Sequence, residues 1–127
     1  MAAKNPYVKQ AEDRVYSASK NELTLMLYEG ALKFANQALT SLDKKDYVKV
    51  NELLQRTQDI VREFQLTLKD DYDVSKDLRA LYDYILRLLI DANVKKDRAS
   101  LEEARDMLRD FRDMWKEAMN TAKQQGV

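Results

Sequence analysis

The sequence predicts an all-α protein, an antiparallel up-down-up-down four-helix bundle with a loose N-terminal segment. Three observations carry that expectation. The 127 residues include two Gly and one Pro, too few to punctuate a sheet protein. Four stretches of about 20 residues or more place apolar side chains at helical spacing. Short polar breaks separate them at Asp43-Lys44-Lys45-Asp46, Asp70-Asp71-Tyr72-Asp73 and Lys95-Lys96-Asp97-Arg98. Helices of that length joined so briefly must run antiparallel. With 45% hydrophobic and 35% charged residues the chain suits one globular domain. Its expected organisation is an N-terminal segment over 1–19, the bundle over 20–123 and a tail over 124–127.

The N-terminal segment holds the only proline, and residues 1–16 have too little periodicity for a helix. Ser19 and Glu22 have the spacing of a capping box, so the first helix is expected to open there and run to about Leu42. Asp46 is a plausible N-cap for the second helix, which extends to about Lys69. The third is expected from Val74 to Val94. A second capping box, Ser100 with Glu103, opens the fourth, which lasts to about Lys123.

Three helices show one clear core stripe each. The second offers Val50, Leu53, Leu54, Thr57, Ile60, Val61, Phe64 and Leu68. The third offers Val74, Leu78, Leu81, Tyr82, Ile85, Leu88, Leu89 and Ala92. The fourth offers Leu101, Ala104, Leu108, Phe111, Trp115, Ala118 and Ala122 beside a solvated face of paired charges. Trp115 is read as core filling.

The first helix carries more apolar surface than a bundle requires. One stripe is Leu23, Leu27, Gly30, Ala31, Phe34 and Ala38, where Gly30 is expected to permit close helix approach. A second, Leu25, Tyr28, Leu32, Ala35 and Leu39, lies on a face rotated by about 130°. Helix three shows a milder excess at Leu86 and Ile90. Two readings stand side by side. The extra stripe is wider core or is covered by residues 1–16, or it is a groove for the amphipathic segments of a partner. Left exposed, it would favour self-association, with a homodimer as one outcome.

Composition narrows the chemistry. Lys and Arg together number 22, as do Asp and Glu, and each helical segment sums to zero. A nucleic-acid or anionic-membrane partner is therefore not expected, since phosphate neutralisation needs a basic excess. No cysteine is present for a disulfide or thiolate site, and no histidine for a di-iron bundle, a histidine-based triad or a phosphotransfer bundle. No glycine-rich phosphate loop, signal-peptide core or membrane-length apolar run occurs. The residues point to a non-enzymatic, cytosolic helical interaction protein that uses no cofactor and no metal.

Four blocks resemble the flagellar export chaperone family, FliS, across nearly the whole chain. Asn5-Pro6-Tyr7 looks like its N-terminal motif. Ser17-Ala18-Ser19, Glu22-Leu23 and the run Leu25 to Phe34 look like its first helix. Leu81-Tyr82-Asp83-Tyr84-Ile85, Leu89-Ile90 and Ala92-Asn93 look like the third, and Phe111-Arg112-Asp113 with Trp115-Lys116-Glu117-Ala118 like the fourth. The match departs from the family at Lys20, where proline is common, and at Leu88, where a second basic residue often follows Arg87.

The resemblance implies that the bundle binds the disordered C-terminal segment of flagellin in the cytosol. It also implies that the protein prevents premature polymerisation and delivers the client to the gate of the flagellar type III export apparatus. The family's N-terminal segment covers part of the groove in the free protein, which makes Tyr7 a candidate for self-cover. Groove candidates are Leu25, Tyr28, Leu32 and Leu39 on the first helix, with Leu86 and Ile90 on the third. The alternatives are a helical adaptor with another partner and a structural bundle that buries its second stripe in a homo-oligomer.

Overall fold

The structure, a computed structural model, describes residues 20–68 and 74–124. The expectations for Tyr7, the 1–19 segment with its Ser19 cap, the break over 70–73 and most of the tail concern residues outside these, while the second helix stops at Thr67, short of the expected Lys69, because Leu68 is already extended. Four helices make up the described chain: α1 (Lys20–Asp43), α2 (Tyr47–Thr67), α3 (Val74–Lys95) and α4 (Arg98–Gln124).

Two tight turns close one end of the bundle, and they share one construction. At the end of α1, the Lys45 N–H donates to the Leu42 carbonyl at 3.0 Å and the Asp46 N–H to the Ser41 carbonyl at 2.9 Å. That is a Schellman turn with Lys45 in the left-handed region, φ 58°. Asp46 then caps α2, its carboxylate accepting from the Lys49 N–H at 3.3 Å. At the end of α3, Lys96 takes φ 52° and the Asp97 N–H donates to the Ala92 carbonyl at 3.1 Å. Asp97 caps α4, accepting from the Ala99 N–H at 3.1 Å and the Ser100 hydroxyl at 2.7 Å.

This corrects the expected start of the last helix. Ser100 is not its cap. The left-handed Lys96 turns the chain early, so Asp97 meets the first free N–H groups and Ser100 falls in the first turn as a donor to it. Arg98, the residue after the cap, grips Asp43 through both carboxylate oxygens, at 2.9 Å and 3.1 Å, and also pairs with Glu102. The Arg98 guanidinium holds the Asp43 carboxyl below its ordinary range, while the Ser100 hydroxyl bond, followed by two backbone N–H groups, lowers Asp97.

Cross-helix bonds establish the antiparallel order. Arg98 at the start of α4 meets Asp43 at the end of α1, and at the opposite end the Trp115 indole N–H donates to the Asn21 carbonyl at 2.9 Å. Between α2 and α3, Asn93 donates to Asn51 at 2.7 Å and Gln65 to Asp83 at 2.5 Å. Each helix packs on the next and α4 returns to α1, so α1 and α3 stand on one diagonal and α2 and α4 on the other.

The core follows the predicted stripes. Leu54, Ile85, Leu89, Leu101 and Leu108 are fully buried, each contributing roughly 1.5–3 kcal/mol by leaving water. Thr57 is buried as well, its hydroxyl donating to the Leu53 carbonyl one turn back at 2.8 Å. Leu81 and Ala118 are exposed instead. In α1 both stripes enter the core: Ala31 and Ala38 from one, Tyr28, Ala35 and Leu39 from the other. The helix lies against α2 on one side and α4 on the other, and two neighbours cover an arc wide enough for both stripes. Gly30 is not required for close approach. A Cβ there would meet Ile60 at 3.7 Å, an ordinary contact.

Replacing Lys45 or Lys96 by Gly removes the steric cost of a left-handed backbone and should stabilise the protein by about 1 kcal/mol each in urea unfolding. The pH dependence has a definite sign. Asp43 and Asp97 have folded pKa values below their unfolded ones, so their contribution is present above about pH 4 and is lost as pH falls through the folded values. Asp43→Asn should flatten that acid limb in a melting series from pH 7 to pH 3, with the α1–α4 clamp already lost at neutral pH.

Candidate functional site

Four aromatic rings, one from each helix, meet at one level of the bundle. Tyr28 of α1 lies 4.3 Å from Phe64 of α2 and 6.0 Å from Phe111 of α4, measured between ring centroids. Tyr82 of α3 closes the circuit at 5.6 Å from Phe64 and 5.7 Å from Phe111. Offset and tilted pairs at such distances are the favourable aromatic geometries. Across the middle, the hydroxyls of Tyr28 and Tyr82 are hydrogen-bonded at 2.6 Å. Burial raises both phenols above their ordinary value. The shared hydroxyl bond raises Tyr28 further and partly offsets the effect at Tyr82. The pair is therefore neutral at physiological pH.

A cleft of about 480 Å³ opens from this layer toward the end of the bundle where α1 and α3 begin. Its walls are Tyr28, Phe64, Tyr82, Trp115, Leu68 and Leu78, with Asn21, Thr24, Thr67 and Ser75 adding polar groups. Trp115 is half-buried and packs against the core as expected, and it also forms a wall of the cleft, its ring 6.4 Å from Tyr28 and its N–H held by the Asn21 carbonyl. An apolar concavity with a few polar groups is the usual form of a binding site. Among the described residues no group of three or more His, Cys, Asp or Glu is placed to hold a metal ion. No helix among them is long and apolar enough to cross a membrane.

The candidates read from the sequence fall into three environments. Tyr28 and Leu39 are 3% and 6% exposed and belong to the core, Tyr28 also forming the cleft wall. The expected free face of α1 is thus not free at these positions, because α2 and α4 both pack on that helix. Leu25 is half-buried. Leu32, 7% exposed, borders a shallow depression between α1 and α4 with Glu29, Lys33, Asn36, Gln37 and Arg112. On α3, Leu86 is half-buried against the core and Ile90 is 42% exposed. Since α1 and α3 are diagonal, Leu25 and Leu32 belong to a different surface from Leu86 and Ile90. Tyr7 lies outside the described residues.

Sequence reasoning missed Phe64, Leu78, Tyr82 and Trp115 as cleft residues. Each had been assigned to a core stripe, correctly as to face. Only their common height, which depends on the register of four helices, turns them into one site.

The family model described as "Flagellar protein FliS" matches residues 3–122. A flagellar secretion chaperone FliS of Bacillus subtilis (strain 168) is 40% identical over 121 residues, covering 95% of this chain and 91% of the relative. Proteins of the same name from Salmonella typhimurium and Escherichia coli (strain K12) are each 30% identical, over 84% and 85% of this chain and 81% and 82% of their own length. With a match of this extent on a four-helix bundle, the chain belongs to the FliS family of flagellar secretion chaperones.

Proposed function

We propose that this protein binds the disordered C-terminal segment of flagellin in the cytosol, prevents its premature polymerisation and delivers it to the gate of the flagellar type III export apparatus. The observation that carries the reading is family membership, through relatives named as flagellar secretion chaperones. The distribution of apolar side chains supports it. Leu25 and Leu32 on α1, Leu86 and Ile90 on α3, and the aromatic cleft lie around the bundle rather than in one groove. A long chain that wraps the bundle reaches all of them, and it needs a long contact to offset the entropy it loses on ordering. The activity is binding, without catalysis. In the free protein, Tyr7 and the rest of the 1–19 segment cover part of this surface and give way to the client. Tyr28 acts through the cleft wall, and Leu39 through the packing that supports α1.

The test is calorimetric titration of the full chain with a peptide spanning the C-terminal segment of flagellin. The wild type should bind it as a one-to-one complex. Ile90→Asp, at an exposed position, should weaken binding roughly tenfold, about 1.4 kcal/mol, with helical content and melting temperature near wild type. Leu32→Asp should weaken it as well, with some loss of stability because Leu32 is buried. A wild-type protein that ignores the peptide and forms a stable homo-oligomer by light scattering would overturn the reading.

A further inference from the structure

The Tyr28–Tyr82 hydroxyl bond lies where helix packing alone provides least. At the aromatic layer adjacent helices meet through apolar ring faces, and such packing is non-directional and tolerates small shifts. The two diagonal helices α1 and α3 have no comparable shared surface. What joins them at this level is a 2.6 Å hydrogen bond between two buried phenols, each braced by the rings of Phe64 and Phe111. A hydrogen bond has a set span and direction. Moving α1 away from α3 by even an ångström breaks it, whereas the surrounding ring contacts would merely loosen.

The same two residues form the inner wall of the cleft. Of its other walls, Asn21 and Thr24 on α1 and Ser75 and Leu78 on α3 stand within two turns of them on the same two helices, while Phe64 and Thr67 of α2, Leu68 just beyond it and Trp115 of α4 close the sides. The distance between α1 and α3 at the aromatic layer therefore sets the width of the cleft above it. We propose that the Tyr28–Tyr82 pair is a clasp that ties α1 to α3 across the bundle and fixes the opening of this cleft. Tyr28 and Tyr82 are positioning residues in this role. The clasp belongs to the free protein and does not depend on which partner binds.

Tyr→Phe substitutions test it in the full chain, because they delete the bond while keeping the rings. The single Trp of the chain, Trp115, lines the cleft and reports on it. In Y28F and in Y82F, acrylamide quenching of Trp115 fluorescence should rise about twofold. Amide exchange should accelerate roughly 3- to 10-fold around 24–31 and 78–85, the range expected for one lost internal hydrogen bond. Amides around 38–42 and 89–92, at the end closed by the two tight turns, should keep their wild-type protection.

The double variant Y28F/Y82F leaves no orphan hydroxyl, so its stability should exceed that expected from adding the two single losses. Its cleft should nevertheless stay as open as in the singles. It also keeps the test available if one single variant fails to fold. Quenching unchanged from wild type in the double variant would overturn the clasp. So would faster exchange spread evenly over both ends, since that pattern reports a general loss of stability.

Discussion

One ring from each helix enters the aromatic layer of Tyr28, Phe64, Tyr82 and Phe111, and the arrangement of the bundle around the cleft follows from that meeting. A ring is too large to be accommodated by a slide of one helix past its neighbour, so the layer sets the register of all four at once. Below it the core is filled by Val61, Leu54, Ile85, Leu89, Leu101 and Leu108, side chains of moderate size that pack without polar needs. Above it the helices no longer meet fully, and the cleft is the space they leave. Core and site are two sides of one packing problem.

The layer also explains why two tyrosines are tolerated in an apolar interior. A lone buried hydroxyl would lose its water partners without replacement, which costs on the order of 1–3 kcal/mol. Two that face one another satisfy that need, and no buried side-chain nitrogen or oxygen among the described residues lacks a partner. The pair has a further effect on specificity. A core of leucine alone accepts several registers, whereas two hydroxyls must find each other, so only one register satisfies both.

How much of this the sequence disclosed depended on the range of the interaction concerned. Helix limits were legible to within a residue or two where a cap sits beside the break, as at Asp46. Ser100 was misread because the left-handed Lys96 was not visible in the pattern, and a carboxylate three residues before the expected cap took the capping role. The two faces of α1 were legible from periodicity, but periodicity says nothing of how many neighbours a helix has. Most of the surplus on α1, at Tyr28, Ala35 and Leu39, is core, while Leu25 stays half-buried and Leu32 borders a surface depression, and the more exposed apolar candidate is Ile90 on α3. The cleft was not legible at all, since no local pattern states that residues 28, 64, 82 and 111 share a height. Family membership was legible from four short blocks because their order and spacing carry information that none holds alone.

The two Lys-Lys-Asp turns have a consequence for how this chain can vary. In each, a single aspartate ends one helix motif and starts the next: Asp46 donates its N–H back to Ser41 and caps α2, and Asp97 does the same between Ala92 and α4. Adding or removing a residue there disturbs both motifs at once, and Arg98 binds the two junctions together through Asp43. A change in length at that pole therefore acts on helix stop, helix cap and inter-helix clamp together, so the two connections farthest from the cleft are the ones in which a single residue carries the most structural duties.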